Sequence, residues 1–138
     1  MSTAVIYWSG TGNTQAMAQS IQEGLTAAGE QAVLLSVDQV GADVPDAYDR
    51  LALGCPSMGD EVLEESEFEP FFLGIEGKLA GKKVALFGSY GWGDGQWMRD
   101  WVQRARDAGA SLYGEGLIQQ DAPDEDACVQ YGKEFAAF

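Results

Sequence analysis

Residues 4–19 read AVIYWSGTGNTQAMAQ, and the change of period inside that stretch decides the fold. Ala4 through Trp8 is a short apolar run of the kind that fills a buried strand. Beyond Gln15 the pattern turns helical: Met17, Ile21, Leu25 and Ala28 recur on one face, and Gly29 closes the segment. The six residues between, Ser9-Gly10-Thr11-Gly12-Asn13-Thr14, are small, polar and uncharged. A strand that passes through a glycine-rich loop into a helix is the opening half of a βαβ unit.

The same alternation continues along the chain. Apolar runs predict a second strand at residues 32–37, a third at 49–54, a fourth at 84–87 and a broken fifth within 110–119. Helices are expected over about 66–80, with Phe68, Phe71, Phe72, Ile75 and Leu79 buried, and after the fourth strand, with Trp97, Trp101, Ala105 and Ala108 inward. A last helix begins near residue 125 and carries Cys128, Tyr131, Phe135 and Phe138 on one face. The expected fold class is α/β: a single doubly wound domain, residues 1–138, with a parallel sheet covered on both sides.

Composition narrows the function. Twenty-two acidic residues against eight basic ones give a net charge of −14, and the chain has no histidine. Such a charge repels nucleic acid and anionic membranes and favours partners with a basic face, although acidity also serves plain solubility. Without histidine, the usual general base and the commonest metal ligand are missing. No metal site or catalytic residue is assigned. The apolar runs are too short to span a bilayer, and Met1-Ser2-Thr3 enters the first strand too early for a signal peptide. Two cysteines, Cys55 and Cys128, make no disulfide framework; a cytoplasmic setting is expected, with both thiols as packing residues.

In doubly wound folds ligands bind beyond the carboxyl ends of the strands. Three loops lie there: SGTGNT (9–14), GCPSMGDEVLEE (54–65) and GSYGWGDG (88–95). A loop that enters a helix offers unpaired N–H groups at the positive end of a dipole, and so receives an anion. Ser9, Thr11, Asn13 and Thr14 add neutral donors, while Gly10 and Gly12 let the backbone turn its amides inward. The plainer alternative is a tight turn with Asn13 as N-cap. Rival motifs fail: a dinucleotide fingerprint wants glycine where Gln15 stands, and a P-loop ends in Gly-Lys-Ser/Thr. No Lys or Arg precedes Arg50. Phosphoryl transfer needs cations, so the expected site holds a phosphate and leaves it unreacted. Trp92, set among Gly88, Gly91, Gly93 and Gly95, suits a flat wall for a planar ligand, and Met58 an adaptable opposite wall.

At residues 5–14 (VIYWSGTGNT), 54–72 (GCPSMGDEVLEESEFEPFF) and 82–101 (KKVALFGSYGWGDGQWMRDW) the sequence closely resembles the short-chain flavodoxins of anaerobic bacteria. The resemblance implies a five-stranded sheet in the order 2-1-3-4-5, with FMN at its switch point. It assigns the FMN phosphate to Ser9, Gly10, Thr11, Gly12, Asn13 and Thr14, and the rest of the cofactor site to residues 56–61 and 89–93. Within these, Met58 and Trp92 would flank the ring, and the Gly59–Asp60 peptide would face flavin N5. Glu61 would bond the ring N3–H. Backbone near Gly91 and Trp92 would meet the pyrimidine end, with Ser89 nearby, and Pro56, Ser57, Tyr90 and Gly93 complete the set. Pro56 departs from relatives that carry a serine there, which removes one phosphate donor.

The function implied is a low-potential one-electron carrier, not an enzyme, moving between semiquinone and hydroquinone. Its partners would be ferredoxin-type reductases and oxidoreductases with basic docking faces, and the chain itself a monomer. Gly59 and Asp60 tolerate positive φ, so a flip of their peptide would accept a hydrogen bond from N5–H. Asp60, Glu61, Glu64, Glu65, Glu67, Glu69 and Asp94 gather near the proposed site. One unit charge at about 10 Å, with an effective dielectric near 20, costs an anionic ring about 1.7 kcal/mol, roughly 70 mV. A flavin-dependent reductase on the same fold is the rival reading, and it needs a substrate pocket beside the ring where Trp92 is expected. A signalling receiver needs a carboxylate after strand one, where only hydroxyls occur.

Overall fold

Parallel pairing organises the computed structural model, which describes residues 2–138; Met1, named above as the start of the chain, lies outside them. Strand β1 (Ser2–Tyr7) lies between β2 (Gln31–Ser36) and β3 (Arg50–Gly54); β4 (Lys83–Tyr90) adds beyond β3. The fifth position is shared by β5 (Ser111–Leu112) and β6 (Leu117–Gln120), which pair with opposite ends of β4. The order is therefore 2-1-3-4-5, with the broken fifth strand as expected. The middle strands β1, β3 and β4 are buried on both faces, which is why they read as continuous apolar runs, while β2 at the edge alternates.

Alternating side chains divide the core in two. On one face Ala4, Ile6, Leu51, Leu53, Val84 and Leu86 pack against α3 (Phe68–Ile75) and α4 (Gln96–Asp107). Phe68 and Phe72 meet the Trp101 ring edge-on there, at 5.4 and 5.9 Å. On the other face the smaller Val5, Ala52 and Ala85 receive α1 (Asn13–Ala27) and α5 (Glu125–Ala137). These two helices touch through glycine: a Cβ on Gly24 would lie 2.0 Å from the Val129 carbonyl oxygen, and one on Gly132 2.2 Å from that of Ile21.

Three boundaries differ from the sequence reading. A short helix α2 (Val44–Ala47), with Pro45 in its first turn, occupies part of the 41–48 loop. Helix α3 starts at Phe68 and yields to a 3₁₀ turn at Glu76–Lys78 rather than running to residue 80. Strand β4 continues to Tyr90, because β6 pairs with Gly88, Ser89 and Tyr90. Among the described residues no helix is long and apolar enough to cross a membrane.

Candidate functional site

The carboxyl ends of β1, β3, β4 and β6 open onto a cleft of about 220 Å³. Trp8, Gly10, Thr11 and Asn13 line one side; Pro56, Ser57 and Met58 a second; and Ser89, Tyr90, Gly91 and Asp121 the remainder. Nine of these eleven were named from the sequence as cofactor contacts, all but Trp8 and Asp121, so the three loops converge on one cleft.

The first loop begins where the Trp8 N–H still donates to the Gly54 carbonyl, at 3.0 Å. Gly12 is the N-cap of α1, at φ +98°, a left-handed conformation open to glycine at little cost. Asn13, the N-cap of the plainer alternative, is instead the first helical residue. Ser9 Oγ accepts the Gly12 N–H at 3.0 Å and Thr11 Oγ1 the Asn13 N–H at 3.5 Å, so each hydroxyl keeps its own proton to donate. Thr14 is turned away: its hydroxyl is buried against Ser89 Oγ at 2.8 Å and accepts the Ser89 N–H at 3.3 Å. Among the described residues no protein acceptor meets the N–H of Gly10, Thr11, Thr14 or Gln15. Four orphan amides, two free hydroxyl protons and a helix dipole suit a phosphate.

In the second loop Met58 and Val62 exchange both backbone hydrogen bonds at 2.9 Å, pinching Gly59-Asp60-Glu61 into a tight hairpin. The left-handed residues here are Gly59 (φ +52°) and Glu61 (φ +58°), while Asp60, which tolerates positive φ, does not adopt it. Glu61 reaches across to the third loop. Its Oε1 accepts from the N–H groups of Asp94 (3.1 Å), Gly95 (3.2 Å) and Gln96 (3.3 Å), capping α4. Gly93 has φ +88°, and a Cβ there would lie 2.2 Å from that oxygen, so a larger residue would be strained and would push the Glu61 carboxylate aside. Glu61 Oε2 has no protein donor among the described residues.

Trp92 does not line the cleft; it is 63 % exposed on the loop that follows β4. The aromatic wall on this side is Tyr90, packed against Trp97 at 5.6 Å. Met58, 36 % exposed, stands at the opposite lip.

The cluster of seven acids is not one open field of charge. Glu69 makes paired bonds to Arg104 at 2.7 and 2.6 Å, and Asp94 meets Arg99 at 2.9 Å. Glu67 accepts the Trp8 indole N–H at 3.0 Å. Glu64 is buried and caps α3 through the N–H groups of Ser66, Glu67 and Phe68, each at 2.8 Å. Burial by itself would raise the Glu64 carboxyl, but the bonds from Ser66 Oγ and those three amides together hold it below its ordinary value. A depressed carboxyl stabilises the fold above its unfolded pKa and loses that contribution as pH falls through the folded one. Glu64→Gln should therefore cost about 2 kcal/mol at neutral pH and flatten the acid side of the stability profile, measured as urea midpoints from about pH 7 to about pH 3.

Trp8 and Asp121 line the cleft without having been singled out. Trp8 lies directly before the SGTGNT run, and Asp121 follows the last strand at the carboxyl end, which was the available signal. Asp121 takes φ +56°, and its N–H donates to the Tyr90 carbonyl at 2.8 Å.

A 2-1-3-4-5 parallel sheet with a donor-rich loop and a cleft at its switch point defines the flavodoxin-like class of doubly wound proteins. The Flavodoxin family model matches residues 5–132. The chain is 51 % identical over 134 residues to the flavodoxin of Clostridium beijerinckii, covering 96 % of this chain and 97 % of that one. To the flavodoxin of Megasphaera elsdenii it is 44 % identical, covering 94 % of each. The solution structure of two-electron reduced Megasphaera elsdenii flavodoxin superposes with a TM-score of 0.90 over 99 % of both chains. The chain belongs to the flavodoxin family. It is thus an FMN-containing electron carrier, with redox proteins as its partners.

Proposed function

We propose that this carrier works at low potential and one electron at a time, cycling bound FMN between its semiquinone and hydroquinone forms and serving cytoplasmic redox enzymes in place of ferredoxin. The observation that carries the reading is the set of four unpaired amides at the start of α1, in a loop without Lys or Arg. Ser9 through Thr14 hold the phosphate with neutral donors and leave its charge in place. Thr14 contributes its amide, because its hydroxyl is committed to Ser89.

Pro56, Ser57 and Met58 wall one side of the cleft and Tyr90 and Gly91 the other. Trp92 and Gly93, on a loop with left-handed glycines at 93 and 95, give the exposed indole freedom to lie along a seated ring. The Gly59–Asp60 peptide offers its polar groups at N5, and Glu61 Oε2 is the acceptor for N3–H while Oε1 stays on α4. With Glu69 and Asp94 paired to arginines, Asp60, Glu61, Glu64, Glu65, Glu67 and Asp121 supply the negative charge that no cation compensates. That charge disfavours a second electron and steers partners with basic docking faces toward the cleft.

Anaerobic reductive titration of the purified, FMN-loaded chain tests this. The yellow protein should pass through a blue one-electron form before bleaching, and the second midpoint should rise as salt screens the acids. A single two-electron step without the blue form, or a second midpoint indifferent to salt, would overturn it.

A further inference from the structure

Cys55 directly follows β3 and was expected only to fill space. It is fully buried, yet every polar atom it owns is engaged. Its Sγ accepts the Glu64 N–H at 3.3 Å and lies 3.6 Å from the Pro56 carbonyl, to which the thiol donates. Its carbonyl accepts the Trp97 indole N–H at 3.1 Å, and its amide donates to the Phe87 carbonyl at 3.1 Å. One residue therefore joins both ends of the Pro56–Glu64 segment and fastens them to β4 and α4. The neighbourhood is shaped for this: a Cβ on Gly88 would sit 2.2 Å from the Cys55 carbonyl oxygen. Burial pushes the thiol far above its ordinary pKa, so it stays a neutral S–H that both donates and accepts.

We infer that Cys55 is a positioning residue for the electron-transfer reaction: its thiol closes the root of the 56–64 loop and so fixes where the Met58–Glu61 hairpin stands beside the cleft. This rests on reading that hairpin as the segment next to the flavin ring. Among the described residues the only other backbone ties between root and tip are the Met58–Val62 pair and the Ser57 N–H to the Ser89 carbonyl, at 3.0 Å. Loss of the sulfur leaves the Glu64 amide buried without an acceptor, and the loop opens at its base.

Cys55→Ala and Cys55→Ser, made in the full chain, separate this role from packing. In the FMN-free protein, amide exchange at Met58, Val62 and Glu64 should quicken at least tenfold in the alanine variant and stay near wild type in the serine variant, whose hydroxyl can donate and accept. In the FMN-loaded protein, the equilibrium constant for forming the one-electron state should fall about tenfold in Cys55→Ala, narrowing the two midpoints by about 59 mV, and recover in Cys55→Ser. A mere packing role predicts the reverse order, because a buried hydroxyl replaces sulfur less well than a methyl does. Should the alanine chain not fold, Cys55→Val gives the same contrast with the volume filled. Unchanged exchange and midpoints, or serine worse than alanine, would overturn the inference. Faster exchange in a chain whose wild type lacks two one-electron steps would instead overturn the redox reading alone.

Discussion

Thr11→Asp should weaken FMN binding by at least a hundredfold without harming the fold. Thr11 is exposed, lines the cleft and belongs to the loop whose amides lack protein acceptors. A carboxylate about 6 Å from one unit of phosphate charge, at an effective dielectric near 20, costs about 2.8 kcal/mol. Phosphate carries nearly two such charges at neutral pH, so a hundredfold loss, about 2.8 kcal/mol, survives screening of half the total. The FMN-free protein should respond in the opposite sense, because a carboxylate before α1 complements the dipole by about 0.5 kcal/mol. Titration calorimetry with FMN and a urea midpoint on the FMN-free chain read the two effects. A dissociation constant within threefold of wild type would remove phosphate from this loop, and Thr11→Asn serves as the neutral control.

The second large effect is far from the cleft. Gly132→Ala should lower stability by about 3 kcal/mol, moving the urea midpoint down by about 1–2 M. The added methyl would lie 2.2 Å from the Ile21 carbonyl oxygen and 3.1 Å from its carbon, and neither atom can rotate aside. Alanine's better helix propensity returns only about 1 kcal/mol. Relief requires α1 and α5 to separate, which loosens Met17, Ile21 and Leu25 against Cys128, Tyr131 and Phe135. Gly24→Ala should behave alike, with its methyl 2.0 Å from the Val129 carbonyl oxygen, and the double variant should cost less than the sum, since one separation serves both. A midpoint equal to wild type in Gly132→Ala would mean that the helices lie farther apart.

The strand-loop-helix passage at 4–19 was legible because hydrophobic period and loop chemistry change together there. The helix faces of α1, α4 and α5 could be read for the same reason, except at their ends, where Ala28 and Phe138 are exposed. The end of β4 could not: Gly88 and Gly91 read as loop residues, whereas Gly88 is needed because the Cys55 carbonyl passes within the space of a side chain. That carries Ser89 and Tyr90 onto a strand and puts the Tyr90 ring, with Trp8, on the wall of the cleft. Charges show the deeper limit. Composition sets Glu69 and Asp94 among free acids, but their arginine partners lie on α4, and only the tertiary fold brings Arg104 to Glu69. Glu64 reads as one more surface acid until its burial at the start of α3 is seen.

The carboxylate of Glu61, with one oxygen spent on three amides where the third loop enters α4, joins the two segments into a single jointed jaw. A shift at the hairpin tip pulls directly on the first turn of α4 and on the arm that bears Trp92. If the hairpin and the Trp92 loop flank the flavin as proposed, the ring's surroundings and the surface offered to a redox partner would move together.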